Sequence, residues 1–287
     1  MIRYSLPDFT VGLQYNLMFV QLMRSCPQFF FDDITVSSLY GCFPSCIMNG
    51  GRTFVRDPYT YEQMVATFDA LEDAGLTARL TFTNMLVEPS QFSDEYFNMI
   101  LDAANGRDVE VIVYLDELAD YIKARYGFKT TLSTTRQLPD VASLNRMLER
   151  YDMVVLDYNH NKDKAFLSAV TDPARLEVMP NELCNPGCPH RQRHYEHNSR
   201  NQLLNQVTPF RDCKHEGPGF TTRTQTSPTL LSNSDIRDLN CTYGIENYKI
   251  VGRGVTSELT LESYLYYLVR PEHRSGLHQA LAAKLGQ

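Results

Sequence analysis

Apolar positions along the chain follow two periods in turn. Short β-branched or apolar runs with period two or no polar break occur at residues 34–39, 78–83, 109–115, 129–133, 153–156, 175–179, 229–231 and 247–251. Runs of this length and content read as strands, and the unbroken apolar character of 109–115 is that of a parallel strand buried on both faces. Between them the apolar residues fall at helical spacing: 61–72 with Gly75 as a stop, 93–104 with Ser93 as N-cap, and 117–126 closed by Gly127. Further helices follow at 141–149, 163–170, 234–239 and 259–269, and another at 11–24 precedes the first strand. Strands alternating with helices predict an α/β fold, a (β/α)8 TIM-type barrel with an N-terminal helix. No linker divides the chain, so residues 1–287 read as a single barrel domain interrupted by an insertion at about 181–227.

Composition narrows the picture. At 287 residues the chain has room for one barrel, which typically needs about 250. Its 43% apolar content supports a large core, and its net charge of −7 argues against a nucleic-acid partner. No apolar run reaches the roughly 18 residues of a membrane span, and the opening MIRYSLPDF lacks the apolar stretch of a secretory signal. The expectation is a cytoplasmic protein whose seven cysteines are thiols or ligands rather than disulfides.

In such a barrel the chemistry lies at the C-terminal ends of the strands. The residues there are Arg52, Asn84, Asp116, Ser133, Asp157, Cys184 and Arg253. Asp116, Asp157 and Arg253 are the catalytic candidates. Asp116 also suits an N-cap, and Arg253, between Gly252 and Gly254, suits either an anion-binding loop or a structural ion pair. Arg52, Asn84, Ser133 and Arg191 are the substrate-binding candidates for a small molecule. The densest chemistry is the loop after residue 179: Cys184 and Cys188 at C-x3-C spacing across a Pro-Gly turn, followed by His190, Arg191, His194 and His197. Paired thiolates on a turn suit zinc or an iron–sulfur cluster. Cys213 is the preferred third ligand and Cys241 the fourth, with Cys42 and Cys46 as rivals on the loop after the first predicted strand; a histidine would instead complete a zinc site. The chain lacks a nucleophile–base pair, a P-loop, a dinucleotide fingerprint and a C-x3-C-x2-C triplet.

Several strand ends together resemble peptidase family U32, the collagenase-like barrel proteins that include ubiquinone- and RNA-hydroxylation proteins. The stretches are LTFTN at 80–84, VIVYLDEL at 111–118, TLSTT at 131–135, VVLD at 154–157, LEVMPNELC at 176–184 and NYKIVGR at 247–253. The resemblance implies a barrel that in several members holds a [4Fe–4S] cluster on four cysteines, with Cys184 matching the cysteine after the sixth predicted strand. Where the family's eighth-strand motif carries an acidic residue, this chain has Val251. Three functions follow as expectations: an iron–sulfur protein whose cluster serves oxygen-independent hydroxylation of a small molecule or nucleic-acid base, or holds a substrate-binding loop; a zinc-dependent, peptidase-like hydrolase; or a binding subunit working beside a related barrel protein.

Overall fold

The computed structural model describes residues 1–51, 57–212, 227–252 and 257–285. Eight parallel strands close into a barrel in sequence order: β1 (Ile2–Pro7), β2 (Ile34–Gly41), β3 (Thr77–Phe82), β4 (Val109–Val113), β5 (Lys129–Leu132), β6 (Met153–Val155), β7 (Leu176–Val178) and β8 (Asn247–Lys249). The ring closes where Arg3, Tyr4 and Ser5 of β1 pair with Asn247, Tyr248 and Lys249 of β8. Around it run α1 (Leu13–Ser25), α2 (Tyr61–Asp73), α3 (Glu95–Ala104), α4 (Asp116–Tyr126), α5 (Val141–Arg150), α6 (Lys164–Ser168), α7 (Arg191–Leu203), α8 (Asn233–Tyr243), α9 (Ser257–Leu268) and α10 (Arg274–Leu285). None of the described helices is long and apolar enough to cross a membrane.

The predicted barrel is present, but two of its expected pieces differ. The first strand is Ile2–Pro7, which the sequence reading passed over, and residues 229–231 are not a strand. Both have physical causes. In IRYSLP the apolar Ile2, Tyr4 and Leu6 face the helices, while Arg3 and Ser5 point into the barrel, so the run shows alternation rather than continuous apolarity. Thr229, Leu230 and Leu231 are buried, yet they dock beside the exit of β7. The Leu231 amide donates to the Pro180 carbonyl, and Asn161 and Tyr267 take up the carbonyls of Thr229 and Leu231. Helix starts also shift slightly. Asp94, not Ser93, caps α3 by accepting the Phe97 amide, and α2 is fixed by a reciprocal capping box between Thr60 and Gln63.

The main apolar core is a ring between strands and helices. Leu6, Leu39, Leu80, Phe82, Val111, Val113, Leu132, Val154 and Val178 all belong to it. The inward-facing residues do not. The barrel axis is lined by Ser5, Ser38, Arg79, Thr81, Thr131, Glu177, Asn247 and Lys249, with Ile112 and Val155 as its buried aliphatic members. Bulky branched side chains usually fill this space in (β/α)8 barrels. Here polar residues, among them small serines and threonines, take their place and leave a cavity at each end.

Candidate functional site

The mouth of the barrel is closed by α7, a strongly polar helix grown from the loop after β7. Its buried face is Arg191, Tyr195 and Ser199, four residues apart and so in one line. Arg191 fixes the near end. Its Nη1 donates to Asp157 Oδ2 at 2.6 Å, its Nη2 to Thr134 Oγ1 at 3.1 Å and its Nε to the Tyr195 hydroxyl at 2.9 Å. The guanidinium also lies 4.2 Å from the ring centroid of Tyr158. Arg191 is 3% exposed and Asp157 7%, so this is a buried ion pair. Burial works against the charged guanidinium, but Tyr195, Asp157 and Tyr158 outweigh it and hold the group above its ordinary value.

The far end is fixed by backbone contacts. Asn84, fully buried, donates to the carbonyls of Ile47 (2.8 Å) and Ser199 (3.2 Å), and Gln202 donates to the Cys46 carbonyl at 3.0 Å. The β2 loop passes between barrel and helix at Gly50 and Gly51. A Cβ on Gly51, whose φ is +71°, would lie 2.1 Å from the Asn198 carbonyl oxygen, and one on Gly50 would lie 2.5 Å from Thr83 Oγ1. Helix α7 thus spans the mouth from β5 and β6 to β2 and β3.

Beneath α7 lies a cavity of about 60 Å³, lined by Tyr40, Thr83, Ser133, Thr135, Glu182, Tyr195, Ser199 and Lys249 among others. Lys249, 7% exposed, holds its ammonium 4.4 Å from the Tyr40 ring centroid. Ser133 accepts from the Thr135 amide (3.2 Å) and hydroxyl (2.9 Å), which leaves its own proton uncommitted. Met179 and Val251 form the apolar wall. Lys249 and Glu182 were not singled out in the sequence. A charged residue at an inward position of a short strand was the available signal for Lys249.

The structure brings some predicted residues together and separates others. Ser133 lines the cavity. Asp157 and Arg191 are each other's partner, and Asn84 anchors α7. Asp116 is the first residue of α4 and not its cap; its carboxylate accepts from the Tyr151 hydroxyl (2.6 Å) and from Arg136 (3.2 Å), in the outer layer away from the mouth cavity. Arg52, Cys213 and Arg253 lie outside the described residues.

Cys184 and Cys188 stand at the N-terminal end of α7, where the Cys188 carbonyl accepts the Arg191 amide at 3.3 Å. Burial pushes the Cys184 thiol up to about 11, with Glu182 and Cys188 adding to it against the Tyr158 hydroxyl and Arg191. Cys42 and Cys46 are packed in the apolar core under the opposite end of α7. That end is about 15–20 Å away along a helix of thirteen residues, so these two thiols do not join the first pair. Burial and the Cys42 contact raise the Cys46 thiol well above its ordinary value. Cys241 is exposed near the C-terminal end of α8, which leads into the start of β8 and so lies at the barrel end opposite the mouth. Among the described residues no three Cys, His, Asp or Glu side chains converge as metal ligands. His194 stacks on Phe210 at 4.7 Å and His197 contacts the Thr208 carbonyl at 2.7 Å, so both hold the returning chain against α7. Asp212, the last described residue before Cys213, pairs with Arg193 at 2.7 Å in the first turn of α7.

A closed (β/α)8 barrel with its mouth covered by a helix is the class that this geometry defines. Within that class the chain is similar in structure to the U32 peptidase Mk0906, with a TM-score of 0.57 at 15% identity over 89% of this chain and 94% of that one. At that identity the likeness establishes the fold. An uncharacterized B. cereus protein (TM-score 0.38, 14% identity, 92% of this chain and 64% of that one) and a D-psicose 3-epimerase (0.39, 9%, 89% and 86%) are too distant to carry an argument. No protein-family profile matches the sequence, and no curated protein matches it.

Proposed function

We propose that the chain is a U32-type barrel enzyme that acts on a small polar molecule beneath α7, with a metal centre on Cys184, Cys188 and Cys213 at the N-terminal end of that helix. The observation that carries the reading is the closed mouth, where the Lys249 ammonium, the uncommitted Ser133 proton and the Glu182 carboxylate line one small cavity. At about 60 Å³ it admits only part of a substrate, so α7 must lift for entry and re-dock through Arg191 and Asp157. Once docked, Lys249 and Ser133 would orient acceptor oxygens, Glu182 would hold or release a proton, and Tyr195 and Ser199 would exclude water.

The described residues supply two thiols of the four that a [4Fe–4S] cluster takes. Cys213 follows the Arg193–Asp212 pair in sequence and would give a third. That set fits a cluster with one non-cysteine position, and we place this ahead of zinc. Such a cluster would supply one-electron chemistry, in line with oxygen-independent hydroxylation. Zinc on the same thiols would supply a bound water and make the enzyme a hydrolase.

Iron, sulfide and zinc content after anaerobic purification tests the reading. About four irons and four sulfides per chain, lost in Cys184→Ala, is the expected result. Zinc without sulfide selects the hydrolase. A metal-free protein, or full metal retained in Cys184→Ala, removes the metal centre and leaves a lidded barrel that works without these thiols.

A further inference from the structure

The larger cavity is at the other end. It measures about 310 Å³, within the range of ligand cavities, about 300–1,000 Å³. Its lining comes from all eight strands, including Arg3 and Ser5 of β1, Ser38 of β2, Arg79 of β3, Glu110 of β4 and Glu177 of β7. Thr81, Ile112, Thr131 and Val155 occupy the positions between it and the mouth.

Its charges are already balanced. Arg79 is buried between Glu177, to which its Nη1 donates, and Glu110, which meets its Nε at 3.1 Å. Lys129 sits directly across the strand pair from Glu110, and Arg3 is paired to Glu246 at 2.8 Å. Two cations therefore face two anions, with the third cation neutralised by its own partner. What stays open is hydroxyl chemistry. Ser5 and Ser38 are register partners on β1 and β2, 3% and 5% exposed. The Ser5 hydroxyl and Glu177 Oε2 are buried without a hydrogen-bond partner, and the Ser38 hydroxyl has none among the described residues. Buried polar groups in native proteins are almost always partnered by protein, water or a ligand, so the Ser5 hydroxyl and Glu177 Oε2 offer a cavity occupant a donor and an acceptor, with the Ser38 hydroxyl beside them.

We propose that the N-terminal end of the barrel binds a neutral, hydroxyl-rich small molecule, a polyol or monosaccharide, through Ser5, Ser38 and Glu177. An ion would upset the charge balance, and an apolar ligand would leave the three oxygens unpaired.

Titration calorimetry of the full chain with glycerol, myo-inositol, D-ribose and D-glucose tests this, with D-gluconate and D-glucosamine as charged controls. At least one neutral probe is expected to bind. Its affinity should fall tenfold or more in both Ser38→Ala and Ser5→Ala, and should be unchanged in Ser133→Ala at the mouth. A crystal structure of the unmutated chain with that probe should place it between β1, β2 and β7, which keeps the test independent of how the variants fold. The proposal is overturned if no neutral probe binds and the cavity holds only water. It is equally overturned if binding survives both alanine variants, or if the charged controls bind more tightly than their neutral parents. None of these outcomes bears on the metal content or on the mouth.

Discussion

The two ends of this barrel each contain a buried arginine–carboxylate pair, and the pairs serve different ends. At the mouth, Arg191 belongs to α7 and Asp157 to the exit of β6, so the contact joins a helix to the barrel. At the base, Arg79, Glu110 and Glu177 all belong to strands, so the contact joins the barrel to itself. The first pair can be released by lifting one element into water. The second cannot be opened without separating the sheet. Under the proposed function, similar chemistry is thus a latch at one end and a fixture at the other, and the difference follows from what each residue is attached to.

The largest expected effect is at the base. Arg79→Met leaves Glu177 buried without its cation and should cost about 3–5 kcal/mol of stability, measured by urea denaturation. A loss no larger than at the mouth would break the distinction. Next is Cys184. Its thiol lies at about 11, above an ordinary thiol, so in the metal-free protein the thiolate is scarce at neutral pH and grows as pH rises toward that value. Alkylation near pH 8 should run roughly one to two orders of magnitude slower than for an unshifted thiol and accelerate up to about pH 11; mass spectrometry of the labelled peptide reads this directly.

A smaller effect is expected for Arg191→Met. The stranded Asp157 regains water when α7 lifts, so the cost should stop at about 1–2 kcal/mol. Amides of α7 should exchange faster while those of β3 and β4 keep their protection. Uniform loss of protection across the strands would make α7 part of the frame instead of a cover. The smallest effect is Ser38→Val, where no hydrogen bond is lost. Stability should move by no more than about 0.5 kcal/mol, even where polyol binding is abolished.

Much of the fold was legible because the outward faces of the strands are apolar and evenly spaced. The runs at 109–115 and 129–133 contain β4 and β5. The errors came where burial and sheet pairing part company. Residues 229–231 are as buried as a strand but bond to the Pro180 carbonyl and the Tyr267 hydroxyl, a distinction that three residues do not carry. β1 was hidden by its own Arg3 and Ser5, which are polar because the lumen is polar. The same cause hid Arg79, Glu177 and Lys249, since attention to strand ends overlooks charged residues within strands.

Around α7, Ser133, Asp157 and Asn84 were singled out as strand ends and Arg191 as a neighbour of the cysteine pair, but their partners were not foreseen. That Asp157 would be spent on Arg191, and Asn84 on Ser199, depends on where a thirteen-residue helix comes to rest, which no local pattern specifies. Likewise the spacing of Cys42 and Cys46 matches that of Cys184 and Cys188, and only the path of α7 shows that the pairs stand at opposite ends of it.

Because the apolar core forms an annulus around the sheet and leaves the axis polar, cohesion and recognition draw on different residues of the same strand. A lineage could rewrite Ser5, Ser38 or Asn247 and change what the axis accepts, while Leu6, Leu39 and Tyr248 continue to hold the wall together. The alternation that makes a β-strand two-faced thus gives this barrel two nearly independent texts, one for standing and one for binding.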